Sequence, residues 1–429
     1  MPNAEAREPL QGLDELFAPP PDENPEGQTF YRHSDLEDNA EQRDSQQVPS
    51  QKTQQLDSDR TTQILTQVYI YAYLIFFSIL GVLARLGLQA LTLYPGALVP
   101  NTDLWANFAG CIIIGFLRED HTLFRSHWKR YTDRNPAEKR ASGPGFSSSS
   151  SGESDEEAHK EAYRTSRAGV PGYIGLTVGF CGSFTSFASI ARDAFLAISN
   201  NLDTNSISNN FVTSEARSRA DGYSVMAVLA VCILELSLSL IALKSGAHIA
   251  IATASSSRNI APGFNFEKHA NRLIVPLACG TWIGAIILTI FTPYNAWRGQ
   301  VLFSLVFAPL GCLLRYQLSV RLNRLLRAFP LGTFSANIFG TAVLGMSYDL
   351  QHSSAAGAIA GCQVLQGVED GFCGALTTVS TWALELDTLE LRHAYFYGLA
   401  SLCVAVGCIT AIMGPLRWTV GFAAPSCVI

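Results

Sequence analysis

Apolar residues gather in long blocks along this chain, with charged and polar residues confined mostly to the stretches between them. Blocks with few charges fall near 68–93, 101–117, 170–199, 222–243, 273–291, 299–320, 331–348, 355–386 and 393–415. A helix of about 20 residues crosses the ~30 Å hydrocarbon core of a bilayer, and most of these blocks are that long. The pattern therefore predicts an all-α polytopic membrane protein with nine spans, the lipid bilayer being its first partner.

Two stretches do not fit the pattern. The first 65 residues are rich in Asp, Glu, Gln, Pro and Ser and lack an uncharged apolar run, so they cannot bury enough surface to offset the entropy of ordering them. Residues 1–66 are expected to be a disordered cytosolic tail, without the basic start and apolar core of a cleaved signal. Residues 129–168, containing GFSSSSSGESDEEAHK, are expected to be a disordered charged insert, with Ser147–Ser151 either a phosphorylation region or a solvated linker.

Charge then orients the chain. Basic residues crowd the loop after the second span (Arg118, Arg125, Lys129, Arg130, Arg134, Lys139, Arg140), and Arg321, Arg324 and Arg327 follow the sixth. Residues 91–100 and 349–357 carry no Lys or Arg, so the positive-inside rule puts the N-terminus in the cytosol and the C-terminus outside. Arg217, Arg219 and Arg298 are exceptions. The net charge of −6 reflects the acidic tail, and no basic groove for nucleic acid is implied. The ten cysteines lack metal-ligand spacing and read as small buried helix residues, and Cys427, third from the end, does not make a prenylation box. No nucleotide-binding loop, nucleophile elbow or His-based catalytic group appears, so the chain does not read as an enzyme.

The blocks also repeat. GVLARLGL (81–88) parallels GCLLRYQL (311–318), and LWANFAGCIIIG (104–115) parallels TFSANIFGTAVLG (333–345). Arg85 precedes Asn107 by 22 residues, as Arg315 precedes Asn337, and GFCG follows in each copy. Each copy is a four-span unit: 67–245, interrupted by the insert, and 299–429. Between them lies a linker, 246–298, with one span at 273–291. An odd connecting span starts the second unit on the opposite face, so the units are expected to be inverted, with a site near the midplane between them.

Within the units, GFCGSFTSFAS (179–189) and GFCGALTTVST (371–381) place Gly, Ser and Thr where a helix should run on, so spans 3 and 8 are expected to break there. Such a break frees carbonyls and hydroxyls for a cation or a path; the plainer alternative is close helix packing by small residues. Asn107 and Asn337 are either interhelical glue or amide donors to an anion. Arg85 and Arg315 either snorkel or hold carbonyls. Glu235 either couples a proton or faces a cavity. Asp193 and Glu385, each fourteen after the first Gly of its GFCG, are taken as structural helix-end carboxylates.

The ordered set G-x-x-x-R, A-N-x-x-G and GFCG-x-x-[ST]-[ST], present twice over residues 68–415, resembles the Fluc (CrcB-type) fluoride channels, and its doubled form with a linking span resembles the eukaryotic FEX exporters. The resemblance implies a passive, selective fluoride path across the plasma membrane, a monomeric pseudo-dimer, an aromatic box and a central structural Na+. Carried over by motif, the carbonyls of Gly182, Thr185, Gly374 and Thr377 hold that ion. The path would draw on Asn107, Asn337, Phe187, Trp382, Ser186, Thr378, Ser189, Thr381 and Ser401. The family's ring positions are unevenly kept: Phe187 and Trp382 complete one aromatic box, whereas Ile190 and Val379 leave the other aliphatic. Tyr397 and Ser401 likewise contrast with Tyr223 and Ala227. One conducting and one vestigial pore are therefore expected, the alternative being a proton-coupled anion transporter built on the inverted repeat.

Overall fold

The computed structural model describes residues 49–92, 103–120, 123, 162–201, 221–256, 266–293, 297–353, 359–425 and 427. The acidic tail before Pro49, Ser147–Ser151 and the insert from 124 to 161 lie outside the described residues. Those residues form helices and no strands. The elements are α1 (Pro49–Thr92), α2 (Leu104–Glu119), α3 (171–184), α4 (Phe187–Ile198), α5 (Asp221–Ser256), α6 (Phe266–Phe291), α7 (298–322), α8 (Leu331–Gln351), α9 (359–376), α10 (Ser380–Thr388) and α11 (Leu391–Thr419).

Among the described residues, six stretches are long and apolar enough to cross a membrane: Arg60–Thr92, Pro171–Ile198, Gly222–Ala254, Ala270–Phe291, Arg298–Leu322 and Leu391–Thr419. The protein is a multi-pass membrane protein. Its layering follows from burial: the window over Pro171–Ile198 is 89% enclosed, against 22% for the windows in α5 and α6. The broken helix is therefore the core and α5, α6 and α11 the periphery. Their outward Ile233, Ile241, Ile283, Ile287, Ile290 and Leu399 are exposed in the protein and suited to lipid.

Three boundaries differ from the sequence reading. The first helix begins at Pro49, inside the tail assigned to 1–66. Proline suits a first helical position because its missing N–H would be unpaired there anyway, and the turns after it are rich in Gln and Lys, which favour helix without burial. The insert assigned to 129–168 ends in folded structure, since 162–168 is helical and Tyr163, Ser166 and Arg167 are buried. Arg167 donates to the carbonyls of Leu117 and Asp120 (2.8 Å each) and Arg118 (2.5 Å), closing the C-terminus of α2. Finally, α5 and α6 run to Ser256 and from Phe266, narrowing the linker assigned to 246–298. Of the cysteines read as small buried helix residues, Cys362 and Cys427 form a disulfide, and Cys279 and Cys403 are exposed.

Glycines let backbones touch where the core is tightest. A Cβ on Gly115 would meet the Leu243 carbonyl oxygen at 2.0 Å, and one on Gly246 would meet that of Ile112 at 2.0 Å, so α2 and α5 pack backbone to backbone. The connecting helix α6 docks on both units: Asn271 accepts from the Tyr73 hydroxyl (3.0 Å) and the Trp282 indole donates to the Val306 carbonyl (3.0 Å).

Gly115→Ala should separate α2 from α5 and cost roughly 1–3 kcal/mol of stability by overpacking. Gly284→Ala, with nothing within 4 Å of the added carbon, should be neutral. Thermal unfolding of the purified protein in detergent compares the two, and equal melting temperatures would refute the assignment of Gly115 to a backbone contact.

Candidate functional site

The central feature is the crossing of two interrupted helices, α3–α4 and α9–α10. Each reaches its break through a wide π-helical stretch, Gly175–Cys181 and Val368–Cys373, and one short turn, Gly182–Phe184 and Gly374–Leu376. Thr185 (φ −94°, ψ 153°) and Thr377 (φ −88°, ψ 149°) then turn extended, at the two places where the sequence pattern expects the spans to break.

An extended residue leaves the following helix without the carbonyls its first N–H groups need. Each shortage is met from the other unit. The Thr377 hydroxyl accepts the N–H groups of Phe187 and Ala188 at 3.1 Å, and the Thr185 hydroxyl accepts those of Val379 and Ser380 at 3.1 Å. Thr185 thus caps α10 and Thr377 caps α4. Around them the hydroxyls of Thr185, Thr378 and Ser380 lie 3.2–3.3 Å apart, and Ser186 lies 3.3 Å from Thr377. All these residues are buried.

The buried asparagines hold the breaks open. Asn107 Oδ1 accepts the Ser186 N–H (2.9 Å) and Asn337 Oδ1 accepts the Thr378 N–H (2.8 Å). In an unbroken helix those amides would bond to the carbonyls of Gly182 and Gly374, four residues back. Drawing them away leaves each of these carbonyls without that amide partner. The donor set of Gly182, Thr185, Gly374 and Thr377 carbonyls, all neutral oxygens, is the chemistry a hard cation takes.

The arginines cross over as well. A Cβ on Gly182 would lie 2.1 Å from Arg315 Nη1, and one on Gly374 would lie 2.0 Å from Arg85 Nη2, so only glycine leaves room for the guanidinium of the opposite unit. Neither arginine snorkels: Arg85 is 1% and Arg315 0% exposed. Arg315 donates to the carbonyls of Ala375 (3.1 Å) and Val178 (2.7 Å). Arg85 donates through Nη2 to the Asp370 carbonyl, and its Nε and Nη1 have no protein acceptor.

The flanking side chains separate into two sets. Phe187 and Trp382 meet edge to face, with centroids 5.1 Å apart at 70°. Trp382 is fully buried, its Nε1–H has no protein acceptor, and its benzo edge lies 3.9 Å from where a Cβ on Gly398 of α11 would stand. One turn on, Ser401 donates to the Tyr397 carbonyl (2.7 Å). The Tyr397 hydroxyl donates to Glu385 (2.7 Å), which also accepts from Thr333 (2.6 Å). α4 packs on α5 of its own unit and on α8 and α11 of the other, and through Trp382 the Phe187 ring reaches the turn of α11 at Gly398, next to Tyr397. Ser189 bonds the Ser186 carbonyl (2.8 Å), and Thr381 donates its N–H to Thr378 Oγ1 (3.4 Å).

The other set is different. Asn107 donates to the Glu235 carboxylate at 3.0 Å, and α10 packs on α2 and α5 there, with Ile190 and Val379 in the apolar core. Tyr223 is 64% exposed and cannot mirror Tyr397, which is fully buried. Gly115 lies on the Leu243 backbone, whereas Gly345 faces the side chains of Ile412 and Ile409. The Asn337 amide donates to the Thr378 carbonyl (3.2 Å) where that of Asn107 meets the Glu235 carboxylate. Asp193, the counterpart of Glu385, pairs instead with its neighbour Arg192 (3.2 Å). The crossed threonine caps and the arginine–glycine contacts were missed from sequence; the shared order of Arg, Asn and GFCG, with Arg and Asn 22 residues apart in both copies, was their only signal.

A family model described as CrcB-like protein, Camphor Resistance (CrcB), matches residues 72–247 and 302–415. Fluoride export protein 1 of Neurospora crassa is 46% identical over 381 residues, covering 86% of this chain and 70% of that protein. Fluoride export protein 1 of Candida albicans is 31% identical, covering 80% and 79%. The fluoride-specific ion channel FluC of Geotalea daltonii is 40% identical over 111 residues, 25% of this chain and 87% of that protein. No solved structure matches. These relatives are named as exporters and a channel, and the chain is not an enzyme.

Replacing Thr185 or Thr377 with Val should each cost about 1 kcal/mol, the usual worth of an N-cap, whereas Thr→Ser should restore it. Melting temperatures of the four variants test this; a Val variant as stable as the parent would mean the cap is not structural.

Proposed function

The chain belongs to the CrcB family, and on that footing we propose that it is a passive fluoride channel that lets F− leave the cytosol, in two inverted units making nine crossings. The reading of inverted units is supported by where helix ends meet. Arg167, just before α3, closes the C-terminus of α2, and Arg118 at that same end pairs with Asp387 at the C-terminus of α10 (2.8 Å). The start of α3–α4 and the finish of α9–α10 thus share one end, which antiparallel units require. That a bacterial channel named FluC aligns over a quarter of the chain agrees with one unit per copy.

The observation that carries the function is the Trp382 indole. A fully buried N–H without an acceptor costs about 1–3 kcal/mol, and here it belongs to a ring that meets Phe187 edge to face and lies against α11 at Gly398. Fluoride is small and tightly hydrated, so losing its water must be offset by several donors, each weak enough to let it go. An indole N–H, an amide, hydroxyls and a ring edge are such donors.

The conducting path is the one lined by Asn337, Phe187, Trp382 and Ser401, with Ser189, Thr378 and Thr381 near the crossing. The path beside Asn107 is vestigial: Glu235 occupies its amide and would repel an anion, and Ile190 and Val379 offer no donor. At the crossing, Gly182, Thr185, Gly374 and Thr377 would hold a structural Na+ through their carbonyls, tying the two breaks together. An inside-negative plasma membrane gives one charge about 2.3 kcal/mol per 100 mV, which drives F− outward without a coupled ion.

Glu235 also favours a second reading, a proton-coupled anion exporter, because a buried carboxylate bonded to an amide is a place to store a proton. Liposomes containing the purified protein separate the two. A channel gives fluoride efflux that follows a K+-set voltage and persists with protonophore, with little chloride efflux beside it. Efflux that follows the pH gradient and ignores voltage would favour the exporter.

Within the same assay, Phe187→Ile should abolish efflux and Val379→Ala should leave it near the parent rate; the reverse pair of results sinks the one-path reading. Trp382→Phe keeps a ring edge but removes the N–H, and losing about 1.4 kcal/mol or more should lower efflux roughly tenfold. Unchanged efflux would show that the ring alone suffices.

A further inference from the structure

The last helix does not simply end. After Thr419 the N–H groups of Val420 and Gly421 both donate to the Leu416 carbonyl (3.1 and 3.0 Å), and Gly421 takes the left-handed conformation (φ +85°) that glycine adopts without a Cβ clash. The chain therefore reverses. Phe422 packs among Tyr348, His352 and Phe195, with centroids 5.2, 5.7 and 6.5 Å away, and the Ala423 N–H donates to the His352 carbonyl at 2.8 Å just past the end of α8. Cys427, 4% exposed, is joined to Cys362 in the first turns of α9, with Cα atoms 5.5 Å apart. Gln351 of α8 turns its amide toward both sulfurs (3.6 and 3.4 Å). The remaining eight cysteines are free and lie along the helices, so this pair stands apart from them in kind.

The side of the membrane on which the pair lies follows from charge. The same end of the molecule holds the contact of Arg417 with Asn201, beyond α4, and the junction between α8 and α9, which has no Lys or Arg over 349–357; Arg417 and, in the α4–α5 connection, Arg217 and Arg219 are its few basic residues. The opposite end carries the basic residues of the α2–α3 and α7–α8 connections. A dithiol facing away from the cytosol meets an oxidising compartment on its way to the surface.

We propose that Cys362 and Cys427 form a structural disulfide on the non-cytosolic face, fastening residues 420–425 as a strap across the ends of α4, α8 and α9. Two thiols exchange with the disulfide of a secretory-pathway oxidoreductase: the S–S bond between Cys362 and Cys427 forms, the carrier's S–S bond breaks, and two electrons and two protons pass to the carrier as its dithiol. The strap bears on Phe195 near the far end of α4, the helix that begins with Phe187 at the crossing. It therefore clamps from outside the helix that Thr377 caps from inside.

The test uses the full-length protein in its own membranes and does not depend on the fluoride reading. Free thiols are blocked with N-ethylmaleimide under denaturing conditions, the sample is reduced, and new thiols are tagged with a polyethylene-glycol maleimide. Two tags are expected for the parent and none for Cys362→Ser or Cys427→Ser; an untagged parent would overturn the proposal. On intact cells, a membrane-impermeant reductant added before blocking should abolish the tags. Persistence of both tags until the cells are permeabilised would overturn the non-cytosolic placement. Reductant should also lower the melting temperature of the purified parent while leaving Cys427→Ser unmoved. Equal behaviour of the two would show that the bond forms but does not act as a clamp.

Discussion

At the centre of the molecule, the hydroxyls of Thr185 and Thr377 stand where main-chain carbonyls would be in a continuous helix, and each serves the helix of the opposite unit. Away from water, an N–H without a partner costs several kcal/mol, so an interrupted helix is tolerable there only if something closes its exposed start. Here the closing group comes from across the interface in both directions. Neither unit can complete its own broken helix, and the register between the units is fixed at one point to within a hydrogen bond. Everything nearby inherits that register: the arginine against the opposite glycine, the asparagine on the first amide past the break, and the Phe187 ring against Trp382.

The reciprocity is close in the backbone, Thr185 and Thr377 both turning extended, and broken in the side chains. The same scaffold holds an aromatic pair with Ser401 and Tyr397 on one flank, and Ile190, Val379 and Glu235 on the other. Even the two arginines differ: Arg315 finds two carbonyls, whereas Arg85 leaves two nitrogens without acceptors. Backbone geometry is therefore conserved between the units by the caps and glycines, and chemistry is free to vary around it.

How much of this was legible in sequence depends on the kind of interaction. The apolar blocks and the doubled GFCG motif marked the helices and both interruptions, because periodicity and small polar residues are local signals. The pairing of Phe187 with Trp382 followed from the family resemblance and its ring positions, not from a local pattern. What escaped were contacts between residues far apart in the chain. No local pattern says that Thr377 serves Phe187, or that Arg85 needs Gly374 to be bare. The placement of Tyr223 opposite Tyr397 failed because loop lengths differ between the units, and only the fold brings Glu235 onto the Asn107 amide. The tail boundary was missed because a polar helix such as the first turns of α1 lacks the apolar signature used to find the others.

The helix that joins the units, α6, has a consequence beyond its docking on α1 and α7. Were the two bundles separate copies of one gene product, any replacement at the crossing would appear on both sides at once, and a change tolerable in one setting but harmful in the other would be lost. Joined in a single polypeptide, each side can be edited alone. That freedom is what allows a carboxylate to sit beside one amide while the other amide meets a main-chain carbonyl, and it makes an unequal molecule attainable by single steps.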